Sequence, residues 1–192
     1  MEFVDRSVCY FTKPGPENTS KTIKLVEKRV KELGIRDIVV ASTYGDTGLK
    51  IAEVFKELKD VNIVVVTICS GFTEEGWVMT DERRKELDAK GIKVLKCPHA
   101  LGDSVGSALT EKFGGKTFEE IVAQTLYRFS QGMKVCVEIT LMAADAGMIR
   151  VDRDVIAMAG TDRGADTAVV LKPSYSRKFL ELKIKEIIAK PL

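Results

Sequence analysis

The run Ile63-Val-Val-Val-Thr67 is almost wholly β-branched and has no alternating polar face. Branching at Cβ restricts χ1 and favours extended backbone. A strand with two apolar faces needs cover on both, which places it centrally in a parallel sheet between helical layers. Its neighbours fit that frame. Val8–Phe11 and Ile38–Ala41 are short apolar runs upstream, and Ile92–Leu95 is one downstream. Between them, Ile23, Val26, Val30 and Leu33 recur at helical spacing, with Gly34 as C-cap. Ile51, Ala52, Val54, Phe55 and Leu58 mark a second helix, and Thr80–Lys90 a charged third that stops at Gly91. Strand–helix alternation of this kind predicts a parallel sheet wrapped by helices.

The pattern changes after residue 100. Ser104–Phe113, Phe118–Ser130 and Met133–Met148 read as helices, a helical excursion over about 103–148. Val155–Ala159 and Thr167–Leu171 read as a terminal hairpin, and Arg177–Ala189 as a basic amphipathic helix. No linker divides the chain, so residues 1–192 are expected to form one α/β domain. The expected architecture is a three-layer α/β/α sandwich, its sheet mostly parallel with one antiparallel strand.

Composition removes several function classes. Net charge is +2, and the 30 basic and 28 acidic residues alternate along helix faces, so no basic patch is expected for nucleic acid. No apolar run approaches a membrane span; the longest is Val61–Cys69. The start of the chain lacks a signal-peptide pattern, and Cys9, Cys69, Cys97 and Cys136 form no Cys-x-x-Cys pair. Reduced, mostly buried thiols and a cytoplasmic setting are expected. Two Asn and two Gln against many Lys and Glu fit a thermophile source.

The richest local chemistry lies at Ser42-Thr43-Tyr44-Gly45-Asp46-Thr47-Gly48, between a strand and a helix. Glycines let backbone approach an anion closely, hydroxyls donate hydrogen bonds, and a helix start offers free N–H groups at a positive dipole end. Ser42, Thr43, Gly45, Thr47 and Gly48 are therefore the candidate phosphate cradle. The same residue types also populate ordinary turns. Ligands in such sheets sit at the carboxyl edge, where Thr12–Gly15, Thr67–Phe72 and Cys97–Ala100 should join the cradle. Lys13, Asn18, Thr67, Gly71 and Phe72 are second-tier candidates there, and Phe72 or Trp77 could stack on a flat ring or cover core.

In Thr161–Thr167, Arg163 either clamps a phosphate or ring edge or pairs with Asp162 or Asp166. His99, the single histidine, lacks the companions a zinc site requires, so no metal is expected and a structural or surface role is favoured. Glu138 and Asp145 either reach a cleft, or cap backbone or pair with a lysine. Leu141–Ile149 offers an apolar surface for a homo-oligomer, and the small residues of Ala143–Gly147 indicate close helix packing. P-loop, nucleophile-elbow and dinucleotide signatures are all missing, which argues against ATP hydrolysis.

The order of these pieces resembles the C-terminal α/β domain of pyruvate kinase. Ile38–Thr47 is similar to that domain's strand, hydroxyl–glycine–hydroxyl loop and helix, with Ser42, Gly45 and Thr47 at the matching loop positions. Asp154–Gly160 with Thr161–Thr167 is similar to its later hairpin and glycine-rich effector loop. In pyruvate kinase these loops hold the phosphates of an allosteric sugar bisphosphate. Tyr44 departs by putting a ring where a small hydroxyl is found, which points to a larger, flatter ligand. Phe11–Thr19, Ser42–Gly48, Ser70–Phe72 and Gly160–Asp166 extend the resemblance to stand-alone archaeal and bacterial pyruvate kinase α/β-domain-like proteins. That resemblance implies FMN as cofactor and leaves open whether any reaction is catalysed; a flavin-dependent redox reaction is the class it favours. It implies no pyruvate kinase activity, because phosphotransfer resides in a barrel domain that 192 residues cannot also contain. The alternative expectation is a non-catalytic module that senses a sugar phosphate.

Overall fold

The computed structural model describes residues 3–58 and 60–192. Seven strands form one sheet: β1 (Cys9–Phe11), β2 (Asp37–Ala41), β3 (Asn62–Val66), β4 (Lys93–Leu95), β5 (Val155–Ala159), β6 (Thr167–Lys172) and β7 (Lys183–Pro191). Among the described residues, six α-helices accompany them: α1 (Thr19–Leu33), α2 (Asp46–Phe55), α3 (Asp81–Ala89), α4 (Val105–Phe113), α5 (Phe118–Leu126) and α6 (Gln131–Asp145). Strand order is β1-β7-β6-β5-β2-β3-β4. Only β6 runs against the rest, antiparallel to both β5 and β7. This is the expected three-layer α/β/α sandwich with one reversed strand. Among the described residues, no helix is long and apolar enough to cross a membrane.

Burial follows the pleat. Along β2, Ile38 and Val40 face a core built with Ile23, Val26 and Val30 of α1, Ile51 and Phe55 of α2, and Leu87 of α3. Val39, between them, faces the other core, built with Met133, Val137 and Leu141 of α6. Val64 and Val65 of β3 split the same way. Period-2 alternation in two all-apolar strands thus feeds two separate helical layers. Asp37 secures the amino end of β2: its carboxylate accepts from Asn62 Nδ2 at 2.7 Å and Arg153 Nε at 2.6 Å.

Two expectations fail here. Arg177–Ala189 is not a helix: Ser176–Glu181 forms a short 3-10 turn and Lys183–Pro191 is β7. Ile184, Ile187 and Ile188 mimic helical spacing, yet adjacent Ile187 and Ile188 face opposite cores. The ladder to β6 tolerates this through two register shifts, between Ala168 and Val169 and between Val170 and Leu171. Two vacant ladders, on β6 and β1, outweigh local helix propensity. The second failure concerns association. Leu141, Met142, Ala143 and Ala144 are buried against the chain's own sheet, so the Leu141–Ile149 stretch offers no free apolar face for a second copy. Close packing of the small residues holds for Ala143 and Ala144, whereas Ala146 and Gly147 are exposed.

The β5–β6 turn is held by a buried carboxylate. Asp166 accepts from Gly15 N at 3.1 Å, Thr161 N at 3.2 Å and Thr167 Oγ1 at 2.9 Å. Thr19 Oγ1 accepts from Ala165 N at 3.0 Å, and Thr22 Oγ1 donates to Ala165 O at 3.1 Å. Gly164, at φ 70°, sits so close to Thr19 and Pro16 that any Cβ would overlap them.

Ile188→Ala, at a side chain 3% exposed, is expected to cost about 2–5 kcal/mol in urea unfolding. Leu180→Ala, at a residue 95% exposed in the preceding turn, should stay within about 0.5 kcal/mol. Equal costs would contradict the strand. Asp166→Ala should remove about 3 kcal/mol or more by orphaning buried donors and speed amide exchange across residues 160–166. Asp166→Asn, which keeps one acceptor, should lose less.

Candidate functional site

The carboxyl ends of β2 and β3 open into the loop singled out by sequence. Ser42 N donates to Val66 O at 3.0 Å, so the ladder runs one residue past β2. Ser42 Oγ then accepts from Thr47 N at 3.2 Å and Gly48 N at 3.3 Å. The serine thereby caps α2 from its own preceding strand, satisfying two N–H groups that would otherwise be open to an anion. Gly45, the N-cap residue, adopts φ 90°, and a Cβ there would strike the Arg83 side chain. Gly48 has no Cβ because Val65 and Leu87 occupy that space. Thr67 Oγ1 donates to Thr43 O at 2.8 Å, tying the loop to the end of β3.

A cleft of about 460 Å³ lies against this loop. Ser42, Thr43, Tyr44, Asp46 and Thr47 form one wall. Gly160, Asp162, Arg163 and Gly164 of the anchored β5–β6 turn form another. Tyr127, Gln131 and Val135, where α5 passes into α6, close the third side, with Ile68 and Trp77 opposite. The hydroxyls of Thr43 and Thr47 have no hydrogen-bond partner among the described residues. Arg163 pairs with neither Asp162 nor Asp166; its guanidinium lies 4.8 Å over the Tyr44 ring. Asp46 is drawn aside by Arg83 at 3.4 Å.

Ser42, Thr43, Thr47 and Arg163 thus line one cleft. Gly45 and Gly48 shape the turn from behind it. Lys13 and Asn18 lie elsewhere: Asn18 Nδ2 donates to Lys13 O at 2.8 Å within the turn leading to α1. Gly71 is exposed outside the lining, and Phe72 stands behind the wall, stacked on Trp77 at 5.4 Å and on the His99 ring at 6.0 Å. Sequence reasoning missed Tyr127 and Gln131. Their spacing with Val135, four and eight residues on, was the available signal, but nothing local says that the helical excursion folds back to the loop.

A narrower hollow of about 230 Å³ adjoins the cleft, sharing Ser42, Thr43, Ile68, Tyr127 and Val135 and adding Thr67. Lys134 Nζ donates to Glu138 Oε2 at 2.6 Å, and Leu101 N donates to Glu138 Oε1 at 2.9 Å. Glu138 therefore both pairs with a lysine and caps backbone. Asp145 caps Ser176 N at 3.1 Å. His99 Nδ1 lies 2.9 Å from Asp103 Oδ2, and that hydrogen bond holds the Asp103 carboxyl below its usual range. All four cysteines are free, but only Cys136 is buried; Cys9, Cys69 and Cys97 are half-buried, which corrects the expectation. Burial pushes the Cys97 thiol up and the Cys136 thiol further, so neither serves as a thiolate nucleophile.

Among solved structures, the chain is similar to Cryptosporidium parvum pyruvate kinase in complex with ADP, at 14% identity and a TM-score of 0.39. The match covers 93% of this chain and 25% of that one, so the chain spans about a quarter of that enzyme's length. The family model described as pyruvate kinase, alpha/beta domain, matches residues 20–171, from the start of α1 to the end of β6. With that model spanning most of its length, the chain belongs to the pyruvate kinase alpha/beta domain family.

Proposed function

We propose that the chain binds FMN or a similar phosphorylated mononucleotide in the 460 Å³ cleft, phosphate toward Thr43 and Thr47. One observation carries the reading: two unpartnered hydroxyls at a helix start share a cleft with an aromatic and cationic wall. A phosphate beside Thr43 and Thr47 meets O–H donors and the positive end of α2. Ser42 supports it from beneath, since an oxygen that accepts two N–H groups still has its own proton to donate. Tyr44, Trp77 and Tyr127 offer ring faces for a flat heterocycle. Arg163 is the one cation lining the cleft among the described residues and can leave Tyr44 for phosphate or ring oxygens.

The residues fit such a ligand in size as well, because small-molecule sites fall within about 300–1,000 Å³. A bound flavin would supply hydride and electron transfer, while the protein binds, orients and shields it. No lysine lines the cleft among the described residues, so the proposal contains no phosphoryl transfer and no pyruvate kinase activity. Free thiols suit a cytoplasmic setting.

An absorbance scan of purified protein with FMN titration tests this. Flavin bands, or saturable binding at micromolar FMN, are expected. Absence of both ends the reading. Thr47→Ala should weaken FMN about tenfold, the worth of one hydrogen bond to a charged group, with the thermal midpoint of the free protein unchanged. A midpoint that rises with sugar phosphates but not with flavins would instead favour a non-catalytic sugar-phosphate sensor.

A further inference from the structure

The narrower hollow holds polar groups that mononucleotide binding leaves unused. At about 230 Å³, half the volume of the cleft, it admits a ligand smaller than a mononucleotide. Val66, Ile68, Ile139 and Met142 make it apolar on most sides. Lys134, 5% exposed, lines it. Of the three N–H donors on the ammonium, one goes to Glu138. The others have no acceptor among the described residues, and the Tyr127 ring lies 6.0 Å away. A buried ammonium with spare donors is a built hydrogen-bonding site for an oxygen.

His99 also lines the hollow. Its Nδ1 faces the Asp103 carboxylate, so Nδ1 carries a proton, and in the neutral ring Nε2 keeps a free lone pair. Asp103 adopts φ 50°, a left-handed conformation that aspartate tolerates better than most residues, and this holds its carboxylate at the ring. The Phe72 ring stacks on the imidazole from behind.

We propose that this hollow binds a small ketone and exchanges the proton beside its carbonyl. Lys134 donates to the carbonyl oxygen. His99 Nε2 takes the proton from the adjoining carbon as that C–H bond breaks. The electron pair moves into a C=C bond while the carbonyl becomes an enolate oxygen, held by the Lys134 ammonium. Return of a proton to carbon restores the ketone, with no net oxidation and no co-reactant. Asp103 is a positioning residue that keeps the imidazole tautomer. Lys134, His99 and Asp103 line the hollow and not the cleft, so the groups that carry the inference are separate from those proposed to hold a mononucleotide.

Hydroxyacetone in D₂O with the full chain, followed by proton NMR, tests it. Loss of the hydroxymethyl CH₂ signal is expected to run about a hundredfold faster with wild type than with His99→Gln. Asp103→Asn should lower the rate at saturating hydroxyacetone and shift its pH profile, which a merely structural role would not do. Because His99 is the single histidine, its ring resonances report binding directly and should move on titration. Lys134→Met combined with Glu138→Gln removes both charges at similar volume, guards against a folding failure, and should abolish exchange. Equal rates in wild type and His99→Gln, or His99 resonances unmoved by hydroxyacetone, would overturn the proposal. FMN binding, read separately by absorbance, does not enter this outcome.

Discussion

Two adjacent strands with no polar face must be kept dry on both sides, and the rest of the molecule is arranged around that requirement. β2 and β3 send alternate side chains into two cores, one covered by α1, α2 and α3, the other by α6. Once both faces are occupied, polar chemistry has only the strand ends. At the amino end the polar groups neutralise one another around Asp37. At the carboxyl end the loops diverge, and unpartnered hydroxyls remain. The division between a closed end and an open one follows from the parallel sheet, where connecting helices leave and return at fixed edges.

Anchoring of the open end is asymmetric. The β2–α2 loop is fastened by Ser42 and Thr67, which use neutral hydrogen bonds within the sheet's own neighbourhood. The β5–β6 turn is fastened by Asp166, which reaches residues 151 positions away in sequence at Gly15. A buried carboxylate with three donors is rigid because losing any one leaves polar charge without compensation. Arg163 therefore projects from a fixed platform, its guanidinium over the Tyr44 ring and in no ion pair among the described residues. Rigid backbone under adaptable side chains is the arrangement that small-ligand sites use.

Much of this was legible in sequence where the signal is local. β-branched runs identified the central strands, the Gly34 cap ended α1 where expected, and the hydroxyl-rich turn was found as a loop opening a helix. What was misread, or turned out to have a second use, shares one cause. Ile184, Ile187 and Ile188 satisfy helical spacing by accident of a bulged strand. Ser42 looked like a ligand donor and is also a helix cap. Gly48 was expected as an anion-approach glycine, and its bare Cα also gives room to Val65. In each case a residue type has two uses, and the choice depends on a neighbour distant along the chain.

By itself, the sequence determined the layer architecture, because period-2 and period-3.6 burial patterns are properties of consecutive residues and need no partner to be read. It also determined which loop carries hydroxyls and glycine before a helix. Only the tertiary structure decided that Tyr127, Gln131 and Lys134 turn toward that loop, that Lys13 and Asn18 do not, and that the last segment is a strand. Those outcomes depend on vacant ladders and on helix return paths. Both are set by long-range packing free energy rather than by the conformational preferences of any short segment.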